Sequence, residues 1–273
     1  MAVISPEILT QPVAQQEMSH SDRYVHFTVT EANNLYAAHE AWRIQAEGYL
    51  DMGFVTEEAL TPEGYLVPEL DKSRGKDVEY HLAVNPCNMD DCATVRKVSP
   101  PKDGTYRDLP SYKMAEPAIY PDGRQALDGI TEQDRRLKEI SALARTKDGS
   151  AVGVYEIFRK LIQDATGSDE VWFFSTVSTT FQSLVRSFGE RNFAIIGDDI
   201  SMPDARVNSS ITLRPTIVTP GTFIERVLDA HISTEGKGKG TLKRSFLFLA
   251  DGLEESRMSP RVVMARNAML QGK

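Results

Sequence analysis

The clearest pattern of apolar and polar positions lies between residues 136 and 191, where two strand–helix pairs follow each other. Apolar residues alternate over 136–145 and then recur at intervals of three and four in the segment that follows. An apolar run over 171–176 predicts a buried strand, and a second amphipathic helix comes after it. Because the connecting loops are short, we expect the two strands to be parallel neighbours in one sheet.

The first of these strands brings two polar side chains to one face. Glu139 and Ser141 lie two residues apart, so a carboxylate and a hydroxyl point the same way. The strand then leads through a turn containing Gly149 into a helix N-terminus, which offers N–H groups and a positive dipole to an anion. The pattern therefore predicts a phosphate-facing site. The alternative is an ordinary strand–helix pair in which Glu139 is a solvated carboxylate.

Other parts of the chain show weaker patterns of the same kinds. They predict further strands at residues 22–30, 78–84, 92–98, 192–197 and 208–218, and further helices at residues 31–47 and from Thr219 onward. Residues 49–76 and 99–133 are rich in proline, glycine and polar residues and are predicted to be long loops. Loops of this length inside a compact domain usually serve a function.

Composition narrows the class of protein. The chain has 273 residues, of which 41% are apolar and 26% charged, as in soluble globular proteins. The net charge of −8 argues against nonspecific nucleic-acid binding. No apolar run approaches the roughly 18 residues that a membrane span needs. Cys87 and Cys92 lack the further cysteines or histidines of a zinc site, so we expect free thiols and no metal.

The sequence divides into three segments. Residues 1–21 are polar and lack the basic start and apolar core of a secretory signal, so we expect a disordered leader on a cytoplasmic protein. Residues 22–235 are expected to form the folded domain. Residues 236–240 alternate Gly and Lys and predict a flexible linker, which begins a C-terminal extension over 236–273. This basic extension is expected to pack on the core or on a second subunit, with membrane contact as a weaker alternative.

The order of elements resembles the GNAT acyltransferase fold. Within it, residues 23–218 are similar to the autoinducer (acyl-homoserine lactone) synthases and the related N-acyl amino acid synthases. Glu139 and Ser141 match the Glu-x-Ser-Arg element of that family, while Ala142 replaces its arginine. The replacement fits the N-acyl amino acid branch better. The resemblance implies an α/β (α+β), three-layer fold with a central mixed sheet flanked by helices.

The resemblance also implies roles for single residues. Glu139 would accept a proton from the amine, and Ser141 would position that amine or a water. Arg43 in the first helix, Asp71 before the hairpin and Arg96 at its end would bind the acceptor, since arginine grips carboxylates at two points. A backbone N–H on the same strand would stabilise the thioester oxygen. A solvated helix arginine is the alternative for Arg43.

The acyl donor is expected at the turn after the strand. Arg145, Gly149 and Gly153 stand near the place of the GNAT coenzyme A loop, but with one residue too many for its usual spacing. The resemblance therefore favours an acyl group carried on acyl carrier protein over free acyl-CoA. Arg159 and Lys160 would dock this acidic carrier, with solvated surface as the alternative.

Together these features predict an N-acyltransferase. It would move a long-chain acyl group from acyl carrier protein to the amine of an amino acid or related small molecule. No bound cofactor is expected, and acyl carrier protein or acyl-CoA would be the cosubstrate. Three alternatives stay open: a coenzyme A-dependent GNAT acetyltransferase, an acyl-homoserine lactone synthase, and a non-catalytic acyl-binding protein of the same fold.

Overall fold

The computed structural model describes residues 24–30, 34–66, 77–102, 104–129, 136–201 and 212–271. These residues fall into two compact units. The first lies within Met1–Arg96 and Ala142–Ile157, and the second within Lys97–Ser141 and Phe158–Lys273. The leader predicted at residues 1–21 lies outside the described residues.

The predicted strands and helices follow one another along the chain in the predicted order. The strands are β1 (Val25–Val29), β2 (Val78–Asn85), β3 (Asn88–Val98), β4 (Leu137–Arg145), β5 (Val171–Val177), β6 (Ala194–Ile195), β7 (Ile200–Ser201) and β8 (Thr212–Val218). The helices are α1 (Leu35–Asp51), α2 (Pro110–Ala115), α3 (Pro121–Asp128), α4 (Ala151–Ala165), α5 (Ser178–Phe188), α6 (Phe223–Ser233), α7 (Lys237–Ala250) and α8 (Pro260–Gln271). Strand β4 contributes to both units.

The first unit is a helix–sheet–helix sandwich. Its strands lie in the order β1-β2-β3-β4, and β1 runs antiparallel to β2. Helix α1 lies on the face of the sheet that carries Tyr80 of β2, because the ring N–H of Trp42 donates to the Tyr80 hydroxyl at 2.7 Å. Helix α4 lies on the opposite face, where a Cβ atom on Gly153 would stand 3.2 Å from the Cβ of Ala93. The two helices therefore enclose the sheet.

Helix α1 begins and packs through small, specific contacts. The side-chain oxygen of Asn34 accepts a hydrogen bond from the N–H of Ala37 at 3.0 Å and caps the helix, which therefore starts later than predicted. Near its other end, a Cβ on Gly48 would stand 2.6 Å from the carbonyl oxygen of Arg145. Glycine at this position lets the helix approach the end of β4.

In the second unit the strands lie in the order β4-β5-β8-β6, and β7 also pairs with β8. Strands β4 and β5 are parallel, as predicted, and are paired from Leu137 with Val171 to Ile140 with Phe174. Strand β8 runs antiparallel to β5, β6 and β7. The predicted mixed sheet flanked by helices is confirmed.

Phenylalanine rings form the centre of the second unit's core. Phe223 at the start of α6 lies with its ring centre 5.5 Å from Phe158, 5.6 Å from Phe188 and 5.8 Å from Phe193. Phe158 and Phe188 are themselves 5.3 Å apart. Such pairs add about 0.5–1.5 kcal/mol each beyond the burial of their area. These rings join α4, α5 and α6.

The linker prediction for residues 236–240 is wrong, because α7 already begins at Lys237. Glycine costs about 1 kcal/mol per helical position, but burial of the apolar side of the helix can offset this. Phe246 and Leu249 on α7 are fully buried. The side-chain amide of Gln163 on α4 donates to the carbonyl oxygens of Leu249 and Asp251 at 2.9 and 2.7 Å. The C-terminal helices thus belong to the core of this unit.

The segment predicted as a long loop before β4 contains α2 and α3. Pro110 and Pro121 each stand at the first position of one of these short helices, where proline lacks no needed N–H and already has a helical φ angle. None of the helices that the structure describes is both long and apolar enough to cross a membrane.

Replacing Phe223 by alanine should remove the centre of the ring cluster. We expect the free energy of unfolding to fall by about 3–5 kcal/mol in denaturant titration. The control is Ile232→Ala in the same helix. Ile232 is 57% exposed, so this change should alter the free energy of unfolding by less than about 0.5 kcal/mol. Equal losses in both variants would contradict the described core.

Candidate active site

Glu139 and Ser141 form a joined pair on β4. The hydroxyl of Ser141 donates a hydrogen bond to Oε1 of Glu139 at 2.7 Å. This contact confirms that the strand places both side chains on one face, as the alternation predicted. Glu139 is fully buried, whereas Ser141 retains about 9% of its accessible surface. A ligand at this strand would therefore reach the hydroxyl before the carboxylate.

The other oxygen of Glu139 holds the start of α2. The backbone N–H of Ser111, in the first turn of that helix, donates to Oε2 of Glu139 at 2.8 Å. The next residue, Tyr112, packs edge-on against Phe173 of β5 and against Tyr106, with ring centres 6.1 and 5.1 Å apart. A carboxylate at a helix N-terminus satisfies an N–H that the helix cannot use. Glu139 is thus neither solvated nor idle.

Ala142, directly after this pair, has an unusual backbone. Its φ angle is +53°, and it is the one non-glycine residue with positive φ in the part of the chain that the structure describes. A left-handed residue inside a strand breaks the alternation of side chains and bends the strand. The regular alternation predicted for residues 136–145 is therefore interrupted at Ala142. The described pairing of β4 with β5 runs to Ile140, just before this residue.

Arg43 is held by carboxylates of its own helix. Its Nε donates to Oε1 and Oε2 of Glu40 at 3.0 and 3.1 Å, and its Nη1 donates to Glu47 at 2.9 Å. The hydrogen bonds to Glu40 raise the pKa of the Arg43 guanidinium above its ordinary value. Arg43 is therefore neither solvated nor ready to grip a substrate carboxylate without giving up these bonds.

Arg96 and Asp71 are the other two residues predicted to bind the acyl acceptor. Arg96 on β3 is buried, and its charge opposes the effect of burial, which raises the pKa of the Tyr49 hydroxyl. A buried cation of this kind is a plausible anchor for an anionic group. Asp71 lies outside the described residues.

The turn between β4 and α4 is filled by its own side chains. Arg145 Nη1 donates to the carbonyl oxygens of Thr146, Lys147 and Gly149 at 3.1, 3.0 and 2.6 Å. A Cβ on Gly149 would stand 2.5 Å from the hydroxyl oxygen of Thr146. Gly153 makes room for Tyr24 and the β-sheet in the same way. Arg145, Gly149 and Gly153, which were predicted to lie at the acyl-donor site, therefore shape the turn and the start of the helix.

The prediction that Arg159 lies on the surface is wrong. Arg159 is 5% exposed, its guanidinium lies 5.1 Å from the ring centre of Phe248, and its Nη1 is 3.7 Å from Asp251. The residues that bury it come from α7 and the turn after it, far along the chain. Lys160 is exposed and its Nζ pairs with Asp164 at 2.6 Å.

Sequence reasoning missed two residues that organise these regions. Ser111 contributes through its backbone, and the only signal for its helix is Pro110. Asp91 in the hairpin accepts hydrogen bonds from the Tyr24 hydroxyl at 2.6 Å and the Ser150 N–H at 2.7 Å. These partners of Asp91 are distant in the sequence, so no local sequence pattern predicts the contacts. The sequence interpretation had assigned Asp91 to a loop.

The chain was compared with known protein families, protein sequences and solved structures. No protein-family model and no curated protein sequence matches the chain. Among solved structures, FeeM, an N-acyl amino acid synthase from uncultured soil microbes, overlaps with a TM-score of 0.52. This chain has the fold of that synthase. The GNAT-like fold and the resemblance predicted from the sequence are confirmed.

The match to FeeM extends over most of both chains at low sequence identity. The match to FeeM covers 78% of this chain and 99% of FeeM, at 16% sequence identity. MesI, a CoA-dependent acyl-homoserine lactone synthase, overlaps with a TM-score of 0.45 at 13% identity, covering 81% of this chain and 95% of MesI. A score below 0.5 does not establish a shared fold. The likeness to FeeM establishes fold, and activity must be argued from the site.

The left-handed backbone at Ala142 can be tested by glycine. Ala142→Gly should raise the free energy of unfolding by about 1 kcal/mol, since glycine adopts positive φ without steric cost. The matched control is Ala144→Gly on the same strand. It should lower stability by about 1 kcal/mol, because glycine weakens a strand interior and a buried methyl group is lost. Destabilisation of similar size in both variants would contradict the described bend in β4.

Proposed function

We propose that the protein is an N-acyltransferase that moves an acyl group from a thioester to the amine of an amino acid or related small molecule. The observation that carries this proposal is the hydrogen bond from Ser141 to the buried carboxylate of Glu139. It supplies a proton acceptor on the strand that precedes the α4 turn, within a fold shared with an N-acyl amino acid synthase.

The pair suits removal of a proton from an amine. As the amine nitrogen attacks the thioester carbon, its proton passes to the Ser141 oxygen and the Ser141 proton passes to Oε1 of Glu139. The carbon–sulfur bond then breaks, and the leaving thiolate takes up the proton that Glu139 received, which restores the carboxylate. A positioned acid–base group of this kind contributes about 10²–10⁴-fold to rate. No covalent bond to the enzyme is needed.

The bend at Ala142 suits stabilisation of the negative charge that develops on the thioester oxygen. A positive φ angle turns the neighbouring peptide groups out of the regular ladder direction. Backbone N–H groups turned in this way can donate to the thioester oxygen as it gains charge, and donors fixed in advance are worth several kcal/mol. Unusual backbone conformations persist where the surroundings hold them, which is common at active sites.

The proposal extends to a long-chain acyl group on acyl carrier protein as the donor. Arg145 is tied to turn carbonyls, which weakens the case for free acyl-CoA. Because Arg159 is buried, docking of the acidic carrier must use other cations, such as the exposed Lys160. Arg43, which would have to give up its pairs with Glu40 and Glu47, and the buried Arg96 are both proposed to bind the acceptor's carboxylate. A cytoplasmic location also stays part of the proposal.

Product analysis tests the proposal. Purified protein is incubated with acyl carrier protein or coenzyme A thioesters, a pool of amino acids and S-adenosylmethionine, and products are identified by mass spectrometry. We expect an N-acyl amino acid, with the rate reduced at least about 100-fold in Glu139→Gln. Ser141→Ala should also be slow, although it keeps the bond from Ser111 to Glu139.

The control is Glu170→Gln, which makes the same chemical change at another partly buried carboxylate of the unit. Glu170 pairs with Lys97 and accepts from the Trp172 ring N–H, so these contacts give it a structural role. It should keep turnover close to that of the parent protein. Full activity in folded Glu139→Gln would remove the base role, and no acylated product with any donor would overturn the proposed function.

A further inference from the structure

The predicted phosphate-facing turn contains an internal anion. Asp91 on β3 is 7% exposed, and its Oδ1 accepts a hydrogen bond from the backbone N–H of Ser150 at 2.7 Å. Ser150 immediately precedes α4, and its hydroxyl oxygen in turn accepts from the N–H of Val152 at 3.1 Å. Donors that could have faced a ligand phosphate are therefore engaged by the protein itself.

Asp91 is locked in this position from its other side. Its Oδ2 accepts from the Tyr24 hydroxyl at 2.6 Å and from Nδ2 of Asn85 at 3.2 Å. Burial and the nearby carboxylate raise the pKa of Tyr24 above its ordinary value, so this hydroxyl stays a donor at neutral pH. A carboxylate with donors on both oxygens does not move aside cheaply for another anion.

The cations next to the turn do not offset this charge. Arg145 donates inward to turn carbonyls, as described above. A cavity of about 440 Å³ beside the turn is lined by four carboxylates and two cations, namely Glu47, Asp51, Asp90, Asp148, Arg43 and Lys147. Four negative groups against two positive groups leave a formal charge of −2 on the lining. Arg43 is also paired with Glu40. Such a surface repels a polyanion.

We infer that Asp91 is a specificity residue that excludes the nucleotide diphosphate of coenzyme A from the α4 turn, so that donor recognition is confined to the pantetheine arm and the acyl group. The inference rests on the proposed acyl transfer and adds which part of the donor the protein rejects. A negative charge in a partly buried turn disfavours binding of another anion, whereas an amide at the same place carries no charge and has only one acceptor oxygen.

The experiment compares two donors that carry the same acyl chain. One is acyl-CoA, and the other is S-acyl pantetheine, which lacks the diphosphate and the nucleotide. In the parent protein, kcat/KM for acyl-CoA should be no more than threefold above that for S-acyl pantetheine. Asp91→Asn should raise the ratio of the two kcat/KM values at least tenfold in favour of acyl-CoA. The control Tyr24→Phe removes one donor to Asp91 but keeps its charge, so its ratio should stay as in the parent.

A tenfold or greater preference of the parent protein for acyl-CoA would overturn the inference, as would an unchanged ratio in folded Asp91→Asn. Calorimetric binding of coenzyme A and of pantetheine to the parent protein needs neither turnover nor a variant. Coenzyme A binding at least tenfold tighter than pantetheine would also overturn it, and equal or weaker binding would support it. Absence of product from both donors, with this binding pattern intact, would contradict the proposed function and leave the exclusion of the diphosphate standing.

Discussion

A fully buried carboxylate in a β-strand must find hydrogen-bond donors, because removing its charge from water costs several kcal/mol. Glu139 finds them in the hydroxyl of Ser141 and the backbone N–H of Ser111. The requirement ties α2 to β4 and brings Tyr112 against Phe173 of the neighbouring strand. The same contact that orders the segment before β4 also creates the reactive pair. Structure and proposed chemistry therefore depend on one charge.

Asp91 in the first unit is also a buried carboxylate that needs hydrogen-bond donors. Like Glu139, it accepts a backbone N–H at the start of a helix, where the helix dipole favours negative charge. Glu139 lies beside the Ser141 hydroxyl, and in the proposed reaction it accepts the amine's proton through that group. Asp91 accepts hydrogen bonds from Tyr24 and Asn85 on its other oxygen, which hold its charge in the turn. The proposed roles of the two buried carboxylates thus differ: Glu139 accepts a proton, and Asp91 excludes an anion.

Local patterns in the sequence were enough for the features that depend on neighbours in the chain. Alternation placed Glu139 and Ser141 on one face, and short loops predicted the parallel pairing of β4 with β5. Glu40 and Glu47 also lie three and four residues from Arg43 on the same helix, a spacing that favours ion pairs, although no prediction rested on it. The order of elements led to the correct fold.

Features set by distant residues could not be read in this way. Arg159 is buried by Phe248 and Asp251, about 90 residues further on. Helix α7 forms despite its glycines because Phe246 and Leu249 enter the core. Helix α2 has six residues, too few for a helical period to show. Alanine seldom adopts the backbone of Ala142, so no residue type marks the bend there.

Amide hydrogen exchange at Ser111, in the parent protein and in Glu139→Gln, tests most directly whether the buried carboxylate holds α2. The account predicts slow exchange in the parent and exchange at least about tenfold faster in the variant, which corresponds to roughly 1.4 kcal/mol of lost protection. Amides around Phe223 should exchange at the same rate in both proteins. Equal rates at Ser111 would show that Glu139 does not anchor the helix and would contradict the account.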